Sequence, residues 1–278
     1  MVPSPDAPAG QRRGAARIGR GSGRGLAGGA CRAQVRGIDW REDGILLSVR
    51  RHGETAALID AFTEGHGRHG GIVPGGAGRR MRPVLQPGAV LDLSWRARRA
   101  DSLGTFRVEP RAAPWRGMMA DGDALAALNA VVALLSFALP ERAPYPRLHA
   151  ATAALIPALG AERNWPLGYL AWERLLLAET GFGLDLSACA VTGRREGLAY
   201  VSPRTGRAVT AEGAGALAPR LLPLPACLAD EEPARPGDLA AGLRVTGHFL
   251  ANHLAPALGE RPLPAARARL VARLAGHG

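Results

Sequence analysis

The stretch Gly44-Ile45-Leu46-Leu47-Ser48-Val49-Arg50-Arg51-His52 decides how the chain is read. Ile45, Leu47 and Val49 recur at every second residue, and the chain then turns polar from Arg50 to Glu54. A period of two is that of a strand with one face against a core. Working outward, further strands are predicted over 55–63, 68–74, 89–98 and 104–109. Glu64-Gly65-His66-Gly67 separates the second from the third, and Gly75-Gly76-Ala77-Gly78-Arg79-Arg80-Met81-Arg82 follows the third. Five short strands with a basic loop after the third predict a small closed β-barrel of the OB type, placed at residues 38–112.

Charge is concentrated in the same half. The formal net charge is +11, and all 35 basic residues are Arg. Residues 1–39 hold seven Arg against two Asp, residues 40–116 hold 13 Arg against eight acids, and residues 117–278 hold 15 against 14. A basic half over a nearly neutral remainder points to a polyanionic partner, of which nucleic acid is the usual one. Cys31, Cys189 and Cys227 are too few and too far apart for a disulfide framework, which fits a reducing cytosol. No apolar run reaches the 18 residues of a membrane span.

The first 37 residues are Gly, Ala, Arg, Pro and Ser with few large apolar side chains. They are expected to be a disordered Arg/Gly-rich extension, because they cannot bury enough surface to offset chain entropy. Gly23-Arg24-Gly25-Leu26-Ala27-Gly28 matches GxGxxG, but no strand precedes it, so the match is read as accidental.

After Pro110–Gly117 the pattern becomes helical, and an α-helical domain is predicted over 117–278. Asp121 or Asp123 caps a helix ending before Pro140; others run from about Pro146 to Leu159 and from Trp165 to Gly181. Two helices close the chain, over 237–258 and 264–274, the last with Arg267, Arg269 and Arg273 opposite its apolar face. Between them, residues 187–210 have the spacing of a zinc ribbon with most ligands missing. Cys189-Ala190-Val191-Thr192 keeps one thiol, and Pro203–Gly206 keeps none. The expectation is a degenerate ribbon without metal. His248 and His253 are five apart, outside the i,i+4 spacing of helical metal ligands.

The order of these parts resembles the RecO family of bacterial recombination mediators. The likeness is carried by Trp40–Gly76, by Trp172–Gly193 with its Gly181-Phe182-Gly183-Leu184-Asp185-Leu186 run and Cys189-Ala190-Val191-Thr192-Gly193 knuckle, and by Gly242–Leu274. The resemblance implies an α+β protein, an OB barrel followed by a helical domain. It also implies a non-catalytic function: binding single- and double-stranded DNA, annealing complementary strands and, with RecR, helping to load RecA on DNA coated by single-strand-binding protein. Several relatives carry a four-cysteine ribbon; this chain keeps only Cys189, so zinc is not carried over. A cytoplasmic place at the bacterial nucleoid follows, with no membrane partner, cofactor or small-molecule substrate.

The residues agree on catalysis. The sequence has no GxSxG, no HExxH and, without Lys, no Walker lysine. Asp230-Glu231-Glu232 reads as solvation of a connector. For DNA, the candidates are Arg79, Arg80 and Arg82 on the Gly-rich loop, Arg50, Arg51 and Arg68 flanking the strands, and Arg96 and Arg98 ending the fourth. Trp40, Trp95 and Phe106 read as core rather than as stacking platforms, so binding is expected to be electrostatic and independent of sequence. Arg174 and Arg244 are candidates for the acidic tail of single-strand-binding protein. The alternatives are an RNA-binding OB protein, or an interaction scaffold with no direct role on DNA.

Overall fold

The computed structural model describes residues 38–99, 101–229 and 237–275. The extension at 1–37, with its GxGxxG match, and the acidic triplet at 230–232 lie outside them.

The five predicted strands are β1 (Ile38–His52), β2 (Ala56–Thr63), β3 (Gly67–Val73), β4 (Val90–Ala97) and β5 (Thr105–Ala112). Their order is β1-β2-β3-β5-β4, and β4 returns to pair with β1. The other seams are long and antiparallel, whereas β3 and β5 meet in parallel at the single pair Ile72↔Thr105. The sheet is therefore of OB type but joined only narrowly there. Beyond Val73 the chain leaves the sheet as the loop 74–86, whose Met81 and Val84 pack on the barrel core.

Two details of β1 differ from the alternation expected. The strand starts at Ile38, seven residues before the apolar run that begins at Ile45. Its pairing with β2 also shifts register between Leu46 and Ser48, a bulge that changes which side chains share a face. Ile45, Leu46 and Leu47 are all buried as a result. Leu46 enters the barrel core, with Val49 packed against it. Ile45 and Leu47 join Phe62 in a second cluster formed with the helices. The strand is buried on both sides there.

The helical body provides that second side. Helix α1 (Gly122–Ala138) is capped by Asp121, whose Oδ1 accepts from the backbone N–H groups of Asp123 at 2.9 Å and Ala124 at 3.0 Å. Its buried residues lie nearly all round it, the pattern of a central helix. It packs on β1 and on the final helix, α7 (Ala265–Ala275). Helices α2 (Pro146–Ala158) and α3 (Trp165–Glu179) follow, and Gly181 takes the positive φ expected of a residue just past the end of α3. Gly67 also needs its positive φ: a Cβ there would strike the carbonyl of Ala143, where the loop between α1 and α2 crosses the start of β3. The Arg142 N–H donates to the Arg68 carbonyl at 2.7 Å in the same crossing.

Residues 187–210 contribute to a small three-stranded sheet. Strand β6 (Leu198–Val201) sits between β7 (Ala208–Thr210) and β8 (Leu222–Pro223), with one turn of helix, α4 (Ala211–Ala214), after β7. Cys189 is buried beside Val209 and Ala214, and its sulfur accepts from the N–H groups of Thr192 and Thr210 at 3.4 and 3.3 Å. Burial pushes the thiol pKa up, but the hydrogen bonds from the side chains and backbone N–H groups of Thr192 and Thr210 together outweigh it and hold the pKa down to about 6.

The last long helical run is α5 (Asp238–Phe249), a π turn (Leu250–Leu254) and α6 (Ala255–Ala257). The π turn makes five-residue spacing meaningful. It brings His248 and His253 to one side, where both Nε2 atoms lie on the Pro203 carbonyl, at 3.0 and 2.8 Å. The expectation for Arg267 is overturned. It is buried rather than opposite the apolar face, and its guanidinium donates to both carboxylate oxygens of Glu173 at 2.8 and 2.9 Å.

Candidate nucleic-acid interface

The outward face of β1, β4 and β5 carries charge in registered rows. Asp39, Arg96 and Thr105 stand side by side, then Arg41, Ser94 and Arg107, then Asp43, Asp92 and Glu109. Strand alternation sends the row between the first two, Trp40, Trp95 and Phe106, to the opposite face. Trp95 and Phe106 are buried there, as expected of core residues. Arg96, Arg107 and Arg41 rim a groove of about 800 Å³ also lined by Val73 at the end of β3 and by Pro74 and Met81 of the loop after it.

The row of carboxylates limits this positive surface. Asp92 is buried between two arginines: Arg41 Nε and Nη2 donate to its two oxygens at 2.8 and 2.6 Å, and Arg111 donates from the other side. The Arg41 hydrogen bonds, with the Arg111 charge, hold the Asp92 carboxyl below the usual range despite burial. Arg41 is thus largely neutralised by its neighbour, whereas Arg107 forms no ion pair among the described residues.

The loop 74–86 supplies the densest positive charge. Its backbone is ordered by turns, with Ala77 N–H on the Thr55 carbonyl at 3.0 Å and Arg82 N–H on the Gly78 carbonyl at 3.1 Å. Arg79, Arg80 and Arg82 are exposed on it, and none forms an ion pair among the described residues. On the loop's other side a second cavity, of about 410 Å³, brings Arg82 together with Arg51.

The remaining candidates are dispersed. Arg50 is exposed at the end of β1, and Arg96 and Arg98 reach solvent on either side of buried Ala97. Arg68 faces inward, with only 19% of its side chain exposed; it donates to the Ser136 carbonyl at 3.2 Å and lies 3.8 Å from Glu141. That arginine ties the barrel to α1 and is not placed for phosphate. Arg174 donates to the Leu228 carbonyl at 2.6 Å, and Arg244 is exposed on α5. Sequence reasoning missed Arg41 and Arg107. For Arg107 a signal existed, the alternation of Thr105, Arg107 and Glu109 against Phe106 and Val108.

His69 lies inside this end of the barrel, packed edge-on against Trp40, Trp95 and Phe106. Burial, with the Arg142 and His66 charges adding to it, pushes its pKa down to about 4. The neutral ring is the folded form. Its contribution is complete above the ordinary histidine pKa near 6.5 and is lost as pH falls toward 4, since the unfolded chain binds the proton first. The fold is expected to lose about 2 kcal/mol between pH 7 and pH 5 from this group. Urea unfolding of the parent and of His69→Phe at both pH values checks this; an equal pH dependence in the two rules it out.

Among the described residues no three or more His, Cys, Asp or Glu side chains are grouped to hold a metal ion, and no helix is long and apolar enough to cross a membrane.

An OB-type sheet bearing an arginine loop is thus joined to a helical body through a shared core. The family described as "Recombination protein O N terminal" matches residues 38–112, and "Recombination protein O C terminal" matches 119–262. The chain is 56% identical over 239 residues to the DNA repair protein RecO of Ruegeria sp., covering 86% of this chain and 99% of that protein. It is 58% identical over 235 residues to that of Jannaschia sp., covering 84% and 95%. It is 53% identical over 238 residues to one from Cereibacter sphaeroides, covering 86% and 99%. The chain belongs to the RecO family of DNA repair proteins.

Proposed function

We propose that the chain is a non-catalytic recombination mediator that binds single- and double-stranded DNA through its barrel, anneals complementary strands and, with RecR, helps to load RecA on DNA coated by single-strand-binding protein. The observation that carries this reading is a set of exposed arginines with no ion pair among the described residues: Arg107 in the large groove, and Arg79, Arg80 and Arg82 on the loop whose Pro74 and Met81 line that groove. Phosphates are held by such cations without regard to base sequence, and each contact releases counterions. The Asp43–Asp92–Glu109 row bounds the track, because a phosphate chain is repelled beyond it. In this reading the protein acts in the cytoplasm, at the nucleoid.

A second contact of the same reading lies on the helical body. A groove of about 480 Å³ has Leu175, Leu184 and Leu186 in its lining and Arg147 and Arg174 beside them. Apolar floor and cationic rim complement a peptide that is both acidic and hydrophobic, the chemistry of the single-strand-binding protein tail. Arg244 does not line this groove.

The test is annealing of complementary fluorescent oligonucleotides, bare and coated with single-strand-binding protein. The full chain is expected to accelerate annealing in both cases. A rate equal to that without the protein at low salt would reject the reading.

A further inference from the structure

We infer that the cavity between Arg51 and Arg82 is a pocket for one unpaired base of a DNA single strand. The inference rests on the DNA-binding reading and adds to it a means of telling single strands from duplex.

Three features of the cavity carry it. Its floor is apolar, made by Val49, Ala57 and Leu85. Its volume, about 410 Å³, falls within the range of small-ligand sites. Its rim is cationic and only partly engaged. Arg51 donates from Nε to the Gly53 carbonyl and from Nη2 to the Glu54 carbonyl, which orients the guanidinium, while Nη1 makes no hydrogen bond among the described residues. Arg82 is exposed and has no ion pair among the described residues. Gln86 also lines the cavity; its Nε2 donates to the Arg82 carbonyl at 2.7 Å, which leaves its Oε1 to accept from a base amino group.

A phosphate group alone would not use the apolar floor, and an apolar peptide would leave two guanidiniums desolvated without a counter-charge. A nucleotide satisfies both parts. Guanidinium planes also stack on flat π systems, so either arginine can cover the base while binding a flanking phosphate. Stacked, paired bases of a duplex cannot enter. The loop 74–86 forms one wall of both cavities, with Pro74 and Met81 toward the large groove and Ala77 and Arg82 toward this one. Arg79 and Arg80 stand on the same loop, between Ala77 and Arg82 in sequence.

The test compares a normal oligonucleotide with one of the same length carrying abasic sites, which keeps every phosphate. The full chain is expected to bind the abasic strand about tenfold more weakly, with the same salt slope, since tenfold corresponds to about 1.4 kcal/mol and stacking of one base on such a platform supplies that much. Ala77→Phe fills the pocket without removing a charge or the Ala77 N–H bond to Thr55. It should bind the two strands about equally and keep the affinity of the parent for duplex; Ala77→Leu serves if the larger side chain prevents folding. Salt-dependent binding with no preference for the normal strand overturns the pocket alone, as does a filled variant that keeps the tenfold preference. Absence of salt-dependent binding by the parent overturns the DNA-binding reading and the pocket with it.

Discussion

Replacing Glu173 with Ala is expected to lower the stability of the fold by about 3–5 kcal/mol, the largest effect of any single change considered. Glu173 is completely buried on α3, and four donors converge on its carboxylate. Arg267 of α7 makes the two-pronged pair, Tyr169 donates its hydroxyl at 2.7 Å, and Thr246 of α5 donates at 2.6 Å. Three helices distant in sequence thus share one anion. Removing it strands the Arg267 guanidinium in the core with only the Leu243 carbonyl, at 2.8 Å, as a strong acceptor. An uncompensated buried charge costs far more than the pair itself contributes. For that reason the double change Glu173→Met with Arg267→Met should recover most of the loss. Urea unfolding of the three proteins measures it. A single variant within 1 kcal/mol of the parent would show that water reaches Arg267 and that the pair is not structural.

Changing Arg79, Arg80 and Arg82 together to Ala is expected to reduce the salt dependence of single-strand binding by about 2 in the slope of log affinity against log salt, at about 0.7 per phosphate contact. Between two salt concentrations a factor of four apart, that difference amounts to about 16-fold in how much affinity is lost. Stability should hardly change, because all three side chains are exposed and the loop is held by backbone bonds that the substitution leaves in place. Changing Arg68 serves as the contrast. Its guanidinium is engaged with Ser136 and Glu141, so Arg68→Ala should weaken the joint between barrel and α1 while leaving the slope alone. Anisotropy titrations over a salt series separate the two. A triple variant with the slope of the parent would remove the loop from the interface.

Much of the candidate site was legible in the sequence because it lies on a loop. The Gly-rich run with Arg79, Arg80 and Arg82 is local, and local composition is enough to put such arginines in solvent. Arg41 was not legible. The inward residues of the first half of β1 are Trp40, Glu42 and Gly44, so no apolar alternation announces a strand. Glu42 can face that way only because the β2–β3 turn closes over it, with Gly65 N–H at 2.6 Å and His66 Nδ1 at 2.8 Å. Arg68 was legible as a cation but not as a buried tie, since its partners lie 68 and 73 positions further on.

By itself the sequence determined the five strands, a helix start at Asp121 or Asp123, a helix end at Gly181, the basic half and the resemblance that the family comparison bore out. These depend on neighbours a few residues apart, through backbone hydrogen bonding, capping and steric freedom at glycine. Only the tertiary structure decided which arginines are available to a ligand. Arg68, Arg41 and Arg267 each meet a carboxylate or carbonyl brought from another element, while Arg79, Arg80, Arg82 and Arg107 meet none among the described residues. A guanidinium is charged wherever it stands, and whether that charge is already answered depends on contacts across the fold, which no local pattern encodes.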